Sequence, residues 1–139
     1  MNETTRDFVA TGGCLCGAVR YGLKEKLGPV GFCHCSKCRR TSGTGSNAVL
    51  NVPLRRFEWV AGEDNVQTYS TAESWTSLFC RTCGSPAPHV LPDGKRVLVP
   101  AGTLDGDPDL AHSNHIFVAS KASWEVIGGD APQFDPWPS

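Results

Sequence analysis

Seven cysteines in three close-set clusters are the residues of this chain whose type and spacing indicate chemistry. The clusters are Cys14-Leu15-Cys16, Cys33-His34-Cys35-Ser36-Lys37-Cys38 and Cys80-Arg81-Thr82-Cys83. In an extended chain, residues i and i+2 point the same way, so each Cys-x-Cys directs two sulfurs towards one point. A Cys-x-x-Cys does the same by winding a turn around an ion. The spacing therefore predicts thiolate ligation of metal.

Paired soft thiolates favour Zn²⁺, which takes four ligands in a tetrahedron, and seven sulfurs divide as four plus three. The central cluster supplies three sulfurs from six consecutive residues, so we expect one site, called here the triad, on Cys33, Cys35 and Cys38. The other four cysteines then form a second site, the tetrad: Cys14, Cys16, Cys80 and Cys83. Four cysteines close a structural site, whereas three leave a position free for water or substrate.

Spacing alone leaves other arrangements open. Cys35 and Cys38 with Cys80 and Cys83 would form a zinc ribbon, and an iron–sulfur cluster uses the same ligands. Alternatively, the triad is a second structural site whose fourth ligand is a histidine. The candidates are His34, His89, His112 and His115. Of these, His34 turns away from the sulfurs if the chain around it is extended.

Short β-rich segments must position these clusters. Stretches enriched in β-branched and aromatic residues cover 18–21, 48–52, 57–60, 66–69, 96–99 and 115–118. Turns rich in Gly, Asn and Asp are expected at 61–65, 92–95 and 104–108. The one helical stretch that we expect runs from Ser36 to about Thr41, with Ser36 as its N-cap. The chain is therefore predicted to be mainly β and predominantly antiparallel.

Length and composition limit the class of protein further. With 139 residues we expect a single domain over 1–139, its core at about 12–126 and its ends, 1–10 and 128–139, loose. Gly and Pro number 15 and 10, which is typical of a turn-rich fold with a thin core. Zinc would compensate for that thin core.

Charge and hydropathy exclude several partners and locations. The net charge of -1 and pI near 6.4 argue against a nucleic-acid partner. No signal peptide and no apolar run of about 20 residues is visible, so we expect a cytoplasmic protein that does not bind membranes. In that reducing compartment, close-set cysteines are expected to be metal ligands rather than disulfides.

With these clusters, the chain resembles the glutathione-dependent formaldehyde-activating enzyme family, which shares a domain with the centromere protein V group. Three motifs carry the resemblance: Gly13-Cys14-Leu15-Cys16-Gly17-Ala18-Val19-Arg20-Tyr21, Cys33-His34-Cys35-Ser36-Lys37-Cys38-Arg39-Arg40-Thr41-Ser42-Gly43 and Phe79-Cys80-Arg81-Thr82-Cys83-Gly84-Ser85. Weaker similarity continues through Gly102-Thr103-Leu104-Asp105 and His115-Ile116-Phe117-Val118 to Trp124. Together these cover about residues 12–126.

The resemblance implies an Mss4-like fold of layered antiparallel β-sheets held together by zinc. It also implies two zinc ions, a structural one on the tetrad and a catalytic one on Cys33, Cys35 and Cys38. The implied activity is that of a carbon–sulfur lyase, similar to S-(hydroxymethyl)glutathione synthase, with glutathione as co-substrate and formaldehyde or another small carbonyl compound as substrate.

Basic and aromatic residues beyond the cysteines are further candidates for function. Lys37, Arg39 and Arg40 are predicted to pair with glutathione carboxylates, Arg in bidentate fashion, although a solvated basic patch is an equal interpretation. Four tryptophans could anchor a partner or fill the core: Trp59, Trp75, Trp124 and Trp137. The rival functions are a non-catalytic zinc-stabilised binding module and a same-fold enzyme with a different thiol or carbonyl substrate. Nothing in the sequence indicates the oligomeric state.

Overall fold

The computed structural model describes residues 7–138, which form ten strands, one α-helix and four short 3₁₀ turns. The strands are β1 (Phe8–Gly13), β2 (Arg20–Lys24), β3 (Val30–Cys33), β4 (Asn47–Pro53), β5 (Phe57–Ala61), β6 (Val66–Ser70), β7 (Thr76–Cys80), β8 (His89–Val90), β9 (Arg96–Pro100) and β10 (His112–Ile116). Helix α1 spans Ser36–Ser42. The 3₁₀ turns are Leu54–Arg56, Glu63–Asn65, Ala101–Thr103 and Val118–Ser120.

The strands form three sheets. The first has the order β1-β2-β5, the second β10-β3-β4-β9-β8, and β6 and β7 pair as a two-stranded sheet. Every strand pair is antiparallel except β10 with β3, which is parallel. The prediction of a mainly β chain with layered antiparallel sheets is confirmed. No helix among residues 7–138 is long and apolar enough to cross a bilayer.

The main core joins the first sheet to the second. Its buried members are Tyr21, Leu23, Leu50, Val52, Phe57, Val97, Val99 and Leu104. Because side chains alternate along a strand, β4 and β9 direct Leu50, Val52, Val97 and Val99 into this core. Their other faces carry Asn47, Val49, Asn51, Arg96 and Leu98, which line a cavity on the far side of the second sheet. One sheet thus supports both the core and the candidate site.

Several sequence-based expectations for strands need correction. The predicted strand at 18–21 lies instead at Arg20–Lys24, and the one at 115–118 ends at Ile116 because Phe117 has a φ of 56° and cannot continue it. Strands β1, β3, β7 and β8 were not predicted. The segments predicted at 48–52, 57–60, 66–69 and 96–99 are confirmed as β4, β5, β6 and β9.

The described parts of both chain ends lie along sheets. Phe8 begins β1, which pairs with β2 as far as Arg20, while the part of the predicted loose N-terminus before Asp7 lies outside the described residues. The C-terminal segment hydrogen-bonds along β10: His115 N donates to Pro132 O at 2.9 Å and Phe117 N donates to Pro136 O at 3.0 Å. Up to Pro138 this segment therefore runs beside the sheet, and Ser139 lies outside the described residues.

Candidate functional site

The tetrad brings together sulfurs from two distant loops. Cys14 and Cys16 lie in the turn between β1 and β2, Cys80 ends β7, and Cys83 follows in the next turn. All four sulfurs lie within 4.8 Å of one another, with Cys14 Sγ to Cys16 Sγ at 3.6 Å and Cys16 Sγ to Cys80 Sγ at 3.8 Å. A tetrahedral ion with metal–sulfur bonds of about 2.3 Å requires sulfur–sulfur edges of about 3.8 Å. The measured distances fit such an ion.

Two glycines allow the turns that gather these sulfurs. Gly17 has a φ of 85° and donates its N–H to Cys14 O at 3.1 Å, and Gly84 has a φ of 80° and donates to Cys80 O at 2.8 Å. Residues with side chains rarely adopt such φ values, which explains glycine directly after each cysteine pair. The resulting turns direct both sulfurs of each pair towards the same point.

Hydrogen-bond donors surround the tetrad sulfurs as thiolate ligands require. Val19 N donates to Cys14 Sγ at 3.2 Å, and Asn65 Nδ2 donates to Cys80 Sγ at 3.4 Å. The hydrogen bond with the Ser85 hydroxyl, together with backbone N–H groups, lowers the pKa of Cys83 to about 5. These hydrogen bonds stabilise negative charge on the sulfurs. Four sulfurs that carry negative charge fit a divalent cation.

Cys16 is the tetrad thiol whose pKa is raised. The Ala18 N–H favours its thiolate, but burial and the neighbouring thiols Cys14, Cys83 and Cys80 outweigh that effect and raise the pKa of Cys16 to about 11. Metal binding must displace the proton of Cys16.

The triad forms where β3 meets α1. Cys33 ends β3, Cys35 is the N-cap of α1, and Cys38 lies in its first turn, with the three sulfurs within 4.8 Å of one another. Cys35 Sγ accepts the Cys38 N–H at 3.3 Å, so the N-cap is Cys35 and not Ser36, which is already the first helical residue. The thiol replaces the hydroxyl expected at this position because the cap is also a candidate ligand. The helix itself was predicted correctly.

The three triad thiols share protons. The hydrogen bond from Cys38 lowers the pKa of Cys33 to about 6. The same hydrogen bond, together with burial, raises the pKa of Cys38 well above its ordinary value. One sulfur is therefore ionised at neutral pH partly because its neighbour keeps its proton. A cation bound between the three sulfurs would stabilise the Cys33 thiolate in place of the Cys38 proton.

Histidine does not complete the triad. His34 is buried at 1% exposure, and its Nε2 lies 3.0 Å from Nδ1 of His115, which stacks on Phe32 at a centroid distance of 4.8 Å. Burial lowers the pKa of both imidazoles. Within the part of the chain that the structure describes, no His, Asp or Glu joins the three sulfurs. A fourth ligand position is left to solvent or substrate.

The sulfurs group as four and three in the way first expected. The zinc-ribbon alternative is wrong, because Cys80 and Cys83 lie with Cys14 and Cys16 rather than with Cys35 and Cys38. Among residues 7–138, all seven cysteines are free thiols. The fourth-histidine alternative finds no support in this grouping.

A cavity of about 820 Å³ borders the triad, and all three triad cysteines line it. Its floor is the face of the second sheet opposite the core. Apolar side chains make up much of the wall: Phe32, Val49, Trp75, Leu98, Ile116, Phe117 and Trp137. A second cavity of about 370 Å³ shares five wall residues with the first: Cys38, Asn47, Val49, Trp75 and Leu98. No tetrad cysteine lines either cavity.

The cations of the larger cavity are Lys37 and Arg96. Arg96 is held by Asn51, whose side-chain oxygen accepts from Nε and whose backbone oxygen accepts from Nη2 at 2.8 Å. No carboxylate pairs with Arg96 among residues 7–138. The sequence did not single out Arg96, because a lone Arg opening a strand carries no local signal of a site.

The other predicted basic residues lie elsewhere. Arg39 and Arg40 are on α1 but line neither cavity, so their contact with a glutathione carboxylate stays a prediction. Of the four tryptophans, Trp75 and Trp137 line the larger cavity, Trp59 packs against the main core, and Trp124 is 67% exposed. The basic run beside the triad thus contributes Lys37 alone to the cavity wall.

Layered β-sheets carry one group of four cysteines and one group of three, and each group could hold a metal ion. The family model described as "Glutathione-dependent formaldehyde-activating enzyme" matches residues 9–120, and the chain belongs to this family. A solved structure, that of a Rhodobacter sphaeroides protein, is similar with a TM-score of 0.58 and 24% identity. The similarity covers 88% of this chain and 98% of that one, and it supports the fold.

Proposed function

We propose that this protein is a zinc-dependent carbon–sulfur lyase-type enzyme that joins a thiol to a small carbonyl compound, or separates them, as in S-(hydroxymethyl)glutathione synthesis. The observation that carries the proposal is the contrast between the two sites. The triad lines an 820 Å³ cavity and leaves a ligand position free, whereas the tetrad lines neither this cavity nor the neighbouring one of 370 Å³. Family membership agrees with a glutathione and formaldehyde chemistry.

The donor sets suit zinc in both sites, because soft thiolates in tetrahedral geometry favour that ion. When bound at the triad, zinc would stabilise the thiolate form of a substrate thiol and polarise a carbonyl. The tetrad is proposed to be structural. The triad cysteines Cys33, Cys35 and Cys38 are proposed to hold the catalytic ion.

Thiol recognition is assigned to the cavity cations. Cys33 pairs with Asn47 across β3 and β4, and Asn51, which holds Arg96, lies four residues further along β4. At the usual strand rise this separation is about 13 Å. Arg96 and the triad cysteines line the same cavity, so a ligand whose thiol lies at the triad would place a carboxylate within reach of Arg96. Glutathione, with two carboxylates on a cysteine thiol, has groups of this kind, and Lys37 would pair with the other one.

In the proposed reaction, the thiolate sulfur forms a bond with the carbonyl carbon. The carbonyl π electrons move to oxygen, which takes up the proton that the thiol released. The amides of Asn47 and Asn114 line the cavity and supply N–H donors for the developing negative charge on that oxygen. In the lyase direction the same steps run backwards.

The proposal is tested by exchange NMR with ¹³C-formaldehyde and glutathione against a protein-free blank. The uncatalysed reaction is easy, so the expected result is an exchange rate above the blank that falls to the blank in Cys35→Ser. Leu15→Ser provides a matched control, since Leu15 neighbours two tetrad cysteines, is 90% exposed and lines neither cavity. A rate equal to the blank with both sites loaded with zinc would overturn the lyase assignment.

A further inference from the structure

The cavity beside the triad is much larger than formaldehyde requires. A single-carbon carbonyl compound is similar in size to a water molecule, which occupies about 30 Å³ in the liquid. The cavity measures about 820 Å³, which is near the upper end of small-molecule sites. Its two cations, Lys37 and Arg96, are already assigned to the carboxylates of the thiol in the proposed function. Part of the wall therefore remains without an assigned ligand group.

That remaining wall includes three aromatic side chains from separate parts of the chain, Trp75, Phe117 and Trp137. Trp75 lies just before β7, Phe117 just after β10, and Trp137 in the C-terminal segment. Phe117 and Trp137 pack edge to face at a centroid distance of 4.9 Å and an interplanar angle of 81°. We call these three residues the aromatic wall.

Trp137 is held at the cavity without being buried. Its indole is 63% exposed, which is unusual for so large an aromatic side chain. The backbone bonds of the C-terminal segment to β10 place it, including Phe117 N to Pro136 O at 3.0 Å and Val118 N to Phe134 O at 3.3 Å. An exposed, positioned indole on a cavity wall offers apolar area that a ligand could cover.

We propose that the carbonyl compound carries an apolar group of aromatic size, which packs on the aromatic wall. This inference rests on the proposed function and names the substrate class of the same site. The product is a hemithioacetal: the sulfur–carbon bond forms, the carbonyl π bond becomes the hydroxyl O–H with the thiol's proton, and no other reactant is consumed. Formaldehyde would then be accepted as the smallest member of the class rather than as the preferred one.

Stable thioethers of glutathione test this inference by binding alone. S-benzylglutathione carries an aromatic group at the position of the carbonyl-derived carbon, and S-methylglutathione carries a single carbon there. Calorimetric titration of the zinc-loaded protein should show S-benzylglutathione binding at least about tenfold more tightly, because the phenyl ring leaves water for the aromatic wall. Trp137→Ala should remove most of that preference.

Trp124→Ala is the matched control, since Trp124 is 67% exposed, similar to Trp137, and lines neither cavity. It should leave the preference unchanged. Equal affinities for the two thioethers, or tighter binding of S-methylglutathione, would overturn the inference while leaving the proposed function intact. A preference that persists in both Trp137→Ala and Trp75→Ala would also overturn it. Failure of glutathione itself and both thioethers to bind would overturn the proposed function, and this inference with it.

Discussion

Each cysteine cluster distributes its protons unevenly. In the triad, the pKa of Cys33 is lowered to about 6 while that of Cys38 is raised, and in the tetrad Cys83 is lowered to about 5 while Cys16 is raised to about 11. Hydrogen bonds from neighbours stabilise one thiolate, and further ionisation would place like charges side by side. Metal binding at either site is therefore an exchange of a cation for protons.

Zinc binding should release at least two protons per protein at pH 7.5, one from Cys16 and one from Cys38. Both pKa values are raised, so both thiols are protonated at that pH before metal binds. As pH falls through about 6 and then 5, Cys33 and Cys83 also become protonated, and zinc affinity should fall more steeply. Calorimetry in buffers of different ionisation enthalpy measures the proton count, and a count of zero would contradict this arrangement of protons.

Arg96→Gln should weaken glutathione binding about 10- to 100-fold, which corresponds to roughly 1 to 3 kcal/mol for a charge-assisted hydrogen bond. Glutamine keeps polarity but loses the positive charge that Asn51 holds at the cavity. Arg40→Gln is the control, because Arg40 is exposed and lines neither cavity. Weaker binding in Arg40→Gln and not in Arg96→Gln, measured by calorimetry, would favour the assignment made from the sequence motif.

The sequence predicts those strands whose own residues have a high β propensity. β4, β5 and β9 have runs such as Val97-Leu98-Val99, whereas β1 ends in Gly12-Gly13 and β3 consists of Val30-Gly31-Phe32-Cys33. These weaker segments are strands because neighbouring strands pair with them, and two of the candidate metal ligands lie at strand ends. Cys33 ends β3 and Cys80 ends β7.

The residues of the candidate site likewise fall into those that the sequence indicated and those that only the structure revealed. The sulfurs could be grouped from the sequence because ligand pairs are close in the chain and glycines follow two of them. The cavity residues Arg96 and Trp137 could not be found, since long-range pairing brings them to the triad. Asn51 holds Arg96, and hydrogen bonds between the C-terminal segment and β10 place Trp137. A Pro- and Gly-rich segment gives no periodic signal of such pairing.

Gly84→Ala should destabilise the zinc-loaded protein by about 1 to 2 kcal/mol, the cost of a left-handed conformation for a residue with a side chain. Gly84 has a φ of 80°, and an added Cβ would meet nothing within 4 Å, so backbone strain is the whole effect. Gly102→Ala is the matched control, because its Cβ also meets nothing and its φ is not in the left-handed region. Urea unfolding measures both, and equal stability of the two variants would contradict this account.

Across the whole molecule, the tetrad connects parts of the chain that are far apart in sequence, whereas the triad lies within six consecutive residues. The tetrad joins the β1–β2 turn to the end of the β6–β7 sheet, and the small buried cluster beside it consists of Cys14, Val19 and Cys80. Two of those three buried residues are themselves candidate ligands. The triad joins only β3 to α1, at the end of an inner strand of a sheet that the main core already supports. An ion bound at the tetrad would therefore support much more of the structure than one bound at the triad.

Cys80→Ser should consequently lower the thermal midpoint by more than about 10 °C, the shift expected for roughly 2 to 3 kcal/mol, and should also lose zinc from the tetrad. Cys35→Ser should lose about one equivalent of zinc with a much smaller change in midpoint, because the buried residues of the main core are untouched. Metal analysis and thermal unfolding of both variants distinguish the sites. Global unfolding of Cys35→Ser would make the triad structural, and an unchanged Cys80→Ser would overturn the structural role of the tetrad.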